Sequence, residues 1–203
     1  SSRINTEVMV ILEKAAKNYE NKELGKCTSI EKAEILLRAM RDPELFNFRY
    51  ERQTNRNPKT VEETYQSRSG NCDELSRFYV VIADKLGIRD ITQFYVMFED
   101  KANKKTAGHG AIFYASGTLF YVDPALTRFE PLPKKFRKPE EVIADPQFKK
   151  QIYDIRNEVL DERHGAFELE EIGLIKERQN FDAFYYFNAG LQSVETNDWE
   201  NVR

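Results

Sequence analysis

The chain is poor in cysteine: Cys27 and Cys72 are the only two among its 203 residues. A secreted scaffold held together by disulfide bonds needs a higher cysteine density than this. No second cysteine or histidine lies at metal-ligand spacing from either thiol, so a structural zinc site is not expected. Each thiol is therefore considered by itself, as a candidate nucleophile or a packed side chain, and not as half of a disulfide or a metal site.

The chain also lacks long apolar runs and a strong net charge. No run approaches the roughly 20 residues that a membrane-spanning helix requires. A net charge of −3 and an isoelectric point near 5.6 give no electrostatic argument for binding nucleic acid or an anionic membrane. With 40% hydrophobic and 32% charged residues, the composition is that of a globular protein and not of a disordered one.

The first part of the chain, 1–59, is predicted to be a helical segment packed on a core domain. Apolar residues recur at helical spacing over 4–20, which predicts a first helix. Thr28 and Glu31 have the spacing of a capping box, which predicts the start of a second helix that ends before Pro43. The polar stretch 51–59 is predicted to be a loop.

A third helix, 71–86, is predicted from a pattern that is apolar on most sides, which is typical of an interior helix. A short helix over 61–66 leads into it, and Gly87 is placed to end it. Three strands are predicted next, over 91–98, 108–114 and 118–123, with a charged loop at 101–105. Residues 138–163 are predicted to be mostly helical, with a restart at Pro146.

Cys72 lies at the beginning of the third helix, where free N–H groups and the helix dipole favour a thiolate over a thiol. His109 and Asp123 follow on two predicted strands. They are the partners that a thiolate nucleophile needs, namely a base beside it and a carboxylate that orients the base. A cysteine at a buried helix start is by itself more often a packed apolar residue, so the order of all three residues carries the interpretation.

The hairpin between the second and third strands tests this interpretation. A three-residue loop at 115–117, with Gly117 in the left-handed conformation, would place Tyr114 opposite Thr118 and His109 opposite Asp123. Directly opposite residues share a face and lie about 5 Å apart at Cβ. A two-residue loop would send them to opposite faces, so the triad requires a three-residue loop.

Four segments together resemble the transglutaminase-like superfamily, whose core is papain-like. They are Gly70 to Asp73, the long helix ending Leu86-Gly87-Ile88, Gly108 to Ala111, and Tyr121 to Pro124. The resemblance covers about residues 60–129. It implies an α+β fold in which a helix bearing the cysteine packs on an antiparallel sheet bearing the histidine and the aspartate, with extra helices here at both ends. It further implies Cys72 as nucleophile, His109 as base and Asp123 as the orienting acid.

Two features qualify the resemblance. Many members have an aromatic residue soon after the histidine, whereas Gly110 and Ala111 follow it here. The glycine either opens room for substrate or marks a site that has drifted. Gln66 lies six positions before Cys72, the offset at which papain-like proteases place an oxyanion-binding glutamine. Gln66 and the Cys72 N–H are thus expected oxyanion donors, and the alternative is a surface glutamine.

Other residues have plainer interpretations. Cys27 is expected to be a structural thiol, and His164 a solvated residue at a helix end. Asp73 and Glu74 are expected in the first helical turn, where carboxylates are favoured, and they would raise the pKa of Cys72.

The last segment, 181–203, resembles the first helix and turn of a tetratricopeptide repeat. This predicts a helical repeat continuing beyond Arg203, with an ordinary amphipathic helix as the alternative. Before it, 60–136 is predicted to be the transglutaminase-like core and 137–180 a set of C-terminal helices. A protein partner docking on the C-terminal helices is a possible consequence.

These interpretations converge on cysteine-dependent acyl transfer or hydrolysis of amide bonds in peptides or proteins through a thioester. This chemistry needs no metal or organic cofactor, and no acidic calcium-loop pattern occurs. Water as acceptor would make a hydrolase and an amine a transglutaminase. One alternative is an inert scaffold that binds a protein partner, and another is acyl transfer from acetyl coenzyme A. The loop 101–107 is predicted to border the cleft.

Overall fold

The computed structural model describes residues 2–51, 58–100, 105–159 and 168–175, and these residues form a mixed α+β fold. The helices α1 to α6 are, in chain order, Ser2–Glu20, Ser29–Arg41, Val61–Ser67, Cys72–Lys85, Pro139–Ala144 and Pro146–Val159. The strands β1 to β7 are Arg49–Tyr50, Ser69–Gly70, Ile91–Asp100, Lys105–Ala115, Leu119–Asp123, Arg128–Pro131 and Glu168–Ile175. The predictions for 181–203, for His164 and for most of the loop at 101–105 lie outside the described residues.

Three consecutive helices, α2, α3 and α4, each begin with a reciprocal capping box. In each box the side chain before the helix accepts from a backbone N–H, and a glutamate three residues later accepts from the backbone N–H of the capping residue. The pairs are Thr28 with Glu31, Thr60 with Glu63, and Asn71 with Glu74. The predicted start of α2 is confirmed, and the capping position of Asn71 makes Cys72 the first helical residue of α4.

Five strands form an antiparallel sheet in the order β6-β5-β4-β3-β7. β3 pairs with β4 over its whole length, from Ile91 with Tyr114 to Asp100 with Lys105. The strand β4 therefore includes residues 105–107, which the sequence pattern assigned to a loop. β1 and β2 form a separate two-stranded parallel pair just before α4.

The strand β7 was not predicted, since 137–180 was expected to be helical. It pairs antiparallel with β3, and the register shifts between Met97 and Phe98, which pair with Glu171 and Leu169 respectively. Glu170 is thus an extra residue that interrupts the alternation of apolar and polar side chains. Because that alternation is the main sign of a strand in a sequence, the bulge hides β7 from pattern reading.

The hairpin between β4 and β5 has a three-residue loop, but one position later than predicted. Ala115 pairs with Leu119, so the loop is 116–118, with Gly117 at its centre at φ +70°. The predicted pairing of Tyr114 with Thr118 was therefore wrong by two residues along one strand. Because two is an even number, His109 and Asp123 keep the same face and become diagonal neighbours instead of opposite ones.

Apolar side chains pack on both faces of the sheet. On β4, Ile112 and Tyr114 belong to a cluster that also contains the buried residues of α1, α2 and α4. Ala111 and Phe113 point the other way, into a cluster with α5 and α6. The sheet is therefore the middle layer, which fixes β4 firmly between two helical layers.

Candidate active site

The site lies where β5 turns away from β4. The β4–β5 pairing ends at Ile112 with Val122, and the first turn of α4 lies against β4 beyond that point. There the hydroxyl of Ser76 donates to the carbonyl of Gly110 over 3.2 Å, and the sulfur of Cys72 lies 3.9 Å from the carbonyl oxygen of Gly108. The fold thus brings the start of α4 directly beside His109.

The structure joins His109 and Asp123, as the sequence predicted. His109 Nε2 lies 2.6 Å from Asp123 Oδ2, and the two side chains are 1% and 0% exposed. A diagonal pair of strand residues is within reach of a side chain as long as histidine. The directly opposite pairing that was predicted is therefore not needed for the contact.

Asp123 is held by more groups than its histidine. The hydroxyl of Tyr121 donates to Oδ2 over 2.7 Å, and the backbone N–H groups of Ala125 and Leu126 each donate to Oδ1 over 3.0 Å. Burial by itself raises the pKa of a carboxyl group, but the charge of His109 and these hydrogen bonds outweigh it, so the pKa of Asp123 is lowered. The carboxylate is thus fixed in both charge and orientation.

The other ring nitrogen of His109, Nδ1, is buried and has no nitrogen or oxygen partner among the described residues. Asp123 takes Nε2, so Nδ1 is the ring nitrogen that is left without a hydrogen bond among these residues. Burial lowers the pKa of an imidazole, but Asp123 and Cys72 raise that of His109 well above its ordinary value. His109 is therefore held by Asp123 and lies close enough to Cys72 for each to shift the pKa of the other.

The sulfur itself is not held as a thiolate as strongly as its place at a helix start suggested. Burial and the neighbouring carboxylate of Asp73, whose Oδ1 lies 4.0 Å from Sγ, raise the pKa of the Cys72 thiol. His109 and the backbone N–H of Gly110 act in the opposite direction. The expected effect of Asp73 is confirmed, and His109 is the main group that opposes it.

Gly110 has a role that neither sequence interpretation anticipated. A β-carbon at this position would lie 2.5 Å from Asp73 Oδ1. The space that the missing side chain leaves is thus filled by Asp73 of the protein itself. The glycine allows the first turn of α4 to approach β4 closely.

Gln66 lies away from this arrangement. It is exposed on α3, and its side-chain amide donates to Glu62 over 3.4 Å. A side chain on the solvent side of α3, paired within its own helix, does not support the predicted oxyanion role. The alternative, a surface glutamine, describes its position.

Two residues near the site were missed in the sequence. Tyr121 lies two positions before Asp123, so the two share a face of β5, a relationship that strand alternation makes visible. Arg41 of α2 donates to the carbonyl groups of Phe48 and Ala125, and the latter follows Asp123 closely in the chain. No sequence pattern points to Arg41, because its contacts depend on how α2 packs beside β6.

Among the residues that the structure describes, no group of three or more histidine, cysteine, aspartate or glutamate side chains is arranged to hold a metal ion. Within the same residues, no helix has the length and apolar character needed to cross a bilayer. Both thiols are free and buried.

No protein-family model matches the chain, and no curated protein matches its sequence.

Proposed function

We propose that this protein catalyses cysteine-dependent acyl transfer or hydrolysis of amide bonds in peptides or proteins. The observation that carries the proposal is the position of His109, which is buried, bonded through Nε2 to Asp123, and next to Gly108, whose carbonyl oxygen lies 3.9 Å from the sulfur of Cys72. A nucleophile, a base and a group that orients the base are the parts that covalent catalysis by cysteine requires. A helix bearing the cysteine, packed on an antiparallel sheet bearing the other two residues, also supports a place in the transglutaminase-like superfamily.

The proposed reaction proceeds in two halves. The thiol of Cys72 gives its proton to Nδ1 of His109, and the sulfur attacks the carbonyl carbon, so that an S–C bond forms and the C=O electron pair moves to oxygen. When the tetrahedral intermediate collapses, the C–N bond breaks and the imidazolium protonates the leaving amine. Water or a second amine, deprotonated by His109, then attacks the thioester and restores the thiol.

The test uses p-nitrophenyl acetate, a simple activated acyl donor. We expect release of p-nitrophenolate and transfer of one acetyl group to Cys72, detected by intact mass and located by peptide mapping. Cys72→Ala and His109→Gln should abolish the transfer, whereas Cys27→Ala should retain it. Acetylation that maps to Cys27 or to lysines, or that survives His109→Gln, would contradict the proposal.

The acceptor is tested separately with dimethylcasein and a fluorescent primary amine. Incorporation of the amine that depends on Cys72 supports a transglutaminase, and Cys72-dependent cleavage or deamidation supports a hydrolase. Acetylation of Cys72 by acetyl coenzyme A, with neither protein reaction, supports the acetyl-transfer alternative.

An inert scaffold remains the second candidate because of one observation. Cys72 is only 6% exposed, and the pKa of its thiol is raised. A binding module without catalytic activity would have such a closed site with a neutral thiol. Failure of every acyl donor to modify Cys72, in a folded protein, favours this candidate.

A further inference from the structure

Asn71, which precedes Cys72, has a half-buried side chain whose oxygen and nitrogen differ in their partners. Its Oδ1 accepts from the backbone N–H of Glu74 over 2.9 Å, and its backbone N–H donates to Glu74 Oε2 over 3.0 Å. The first of these bonds fixes the side chain in one orientation. Its Nδ2 has no acceptor among the described residues, and an amide nitrogen carries two N–H donors.

The backbone N–H of Cys72 is a second donor at the same place. Cys72 is the first residue of a 14-residue helix, so its N–H has no acceptor within the helix, and none of the other described residues supplies one. An anion at a helix start is favoured by such N–H groups and by the helix dipole.

A third, independent feature lies near the start of α4. Nδ1 of His109 is buried and has no hydrogen-bond partner in the described part of the chain, and the carbonyl oxygen of the neighbouring Gly108 lies 3.9 Å from the sulfur of Cys72. A buried ring nitrogen and two N–H donors without partners in the described residues therefore belong to three residues around the start of α4, namely Asn71, Cys72 and His109. Gln66, the expected second donor, is exposed and paired with Glu62.

From these positions we infer that the side-chain amide of Asn71, together with the backbone N–H of Cys72, binds the oxyanion formed when Cys72 attacks a carbonyl group. This inference rests on the proposed function and names a further catalytic residue for it. Asn71 is pre-oriented by its capping bond, so no reorganisation is needed when negative charge develops on oxygen. Asparagine, aspartate and serine cap helices about equally well, but only asparagine brings an amide donor.

That difference gives a matched pair of variants. Asn71→Ser keeps an uncharged cap without the amide, and Asn71→Asp keeps the cap but places negative charge where the oxyanion forms. Both should unfold at urea concentrations close to the wild-type midpoint. Each variant is then tested with two reagents, p-nitrophenyl acetate and iodoacetamide. Acylation passes through an oxyanion, whereas alkylation displaces iodide directly and forms none.

We expect Asn71→Ser to acylate about 10²-fold more slowly than wild type, the usual cost of removing one oxyanion donor. Its limiting alkylation rate at high pH should stay within about twofold of wild type, and Asn71→Asp should acylate more slowly still. Equal acylation of Asn71→Ser and wild type overturns the inference and leaves the proposed function intact. Equal losses in acylation and alkylation also overturn it, because Asn71 would then act on the sulfur. A wild-type protein that is alkylated but never acylated at Cys72 overturns both.

Discussion

Asp73 Oδ1 occupies the position next to Gly110 where a side chain would begin, 2.5 Å from an ideal β-carbon. The first turn of α4 and strand β4 are therefore in contact through a residue without a side chain. This contact sets the distance between Cys72, which precedes Asp73, and His109, which precedes Gly110. A change at either residue should alter both stability and reactivity.

Gly110→Ala is expected to lower the free energy of unfolding by about 1–3 kcal/mol, because a buried carboxylate must move away from the new methyl group. Urea unfolding measures this. Gly25→Ala is the control, since a β-carbon there meets nothing within 4 Å. Adding Asp73→Ala to Gly110→Ala should recover part of the loss, and a purely additive double variant would contradict the steric account.

Tyr121→Phe is expected to raise the pKa of Asp123, because the phenol hydroxyl donates to the charged carboxylate over 2.7 Å. The lowered pKa of Asp123 contributes stability that is present above its unfolded value and lost as the pH falls through its folded value. Acid unfolding, followed by far-ultraviolet circular dichroism, should therefore begin at a higher pH in the variant. Tyr114→Phe, in the cluster on the other face of the sheet, should unfold in acid as wild type does.

The raised pKa of His109 predicts a pH dependence of the opposite sign. A histidine with a raised folded pKa contributes stability that is complete below its unfolded pKa, about 6.5, and is lost as the pH rises through the folded value. The difference in unfolding free energy between wild type and His109→Gln should therefore shrink as the pH rises above about 6.5. Urea unfolding across this range checks the trend. Parallel curves for wild type and His109→Gln would rule out a perturbed histidine.

Glu74→Ala is expected to destabilise the protein by more than Glu63→Ala, although both glutamates hold the same capping-box position. Glu74 is 1% exposed and also accepts from the backbone N–H of Lys59 over 2.6 Å, whereas Glu63 is exposed. Loss of a buried acceptor leaves donors unsatisfied and costs about 1–3 kcal/mol, while an exposed cap is worth about 1 kcal/mol. Urea unfolding of the two variants compares them directly, and equal losses would show that burial of Glu74 adds nothing.

Helix capping and the spacing of apolar residues correctly predicted the parts of this fold that depend on residues close together in the sequence. The capping box of α2 and the buried pattern of α4 are short-range features, and both are confirmed. The shared face of His109 and Asp123 was also predictable, because it depends only on whether the hairpin pairing shifts by an odd or an even number. The exact register was not, since the sequence does not show that Gly117 lies in the middle of the loop instead of at its end.

The features that could not be predicted depend on contacts between distant segments. Glu170 forms a bulge in β7, which breaks the alternation that would have revealed the strand. From the sequence, the missing side chain of Gly110 suggested open space in the site. Only the packing of α4 shows that Asp73 fills this space. Gln66 has the sequence offset of an oxyanion donor, but its side chain is exposed on α3 and donates to Glu62, a position that depends on the packing of α3.

The two cysteines of this chain provide the most direct test of the central claim, that His109 activates Cys72. Both are 6% exposed, burial raises the pKa of both, and a carboxylate raises each further, namely Glu31 for Cys27 and Asp73 for Cys72. Without help from His109, Cys72 should therefore react no faster than Cys27. The measurement is the rate of iodoacetamide alkylation at each cysteine at about pH 6.5, by peptide mass mapping, in wild type and in His109→Gln.

The account predicts that Cys72 reacts at least about tenfold faster than Cys27 in wild type, and no faster than Cys27 in His109→Gln. A wild-type protein in which Cys72 reacts no faster than Cys27 would contradict it.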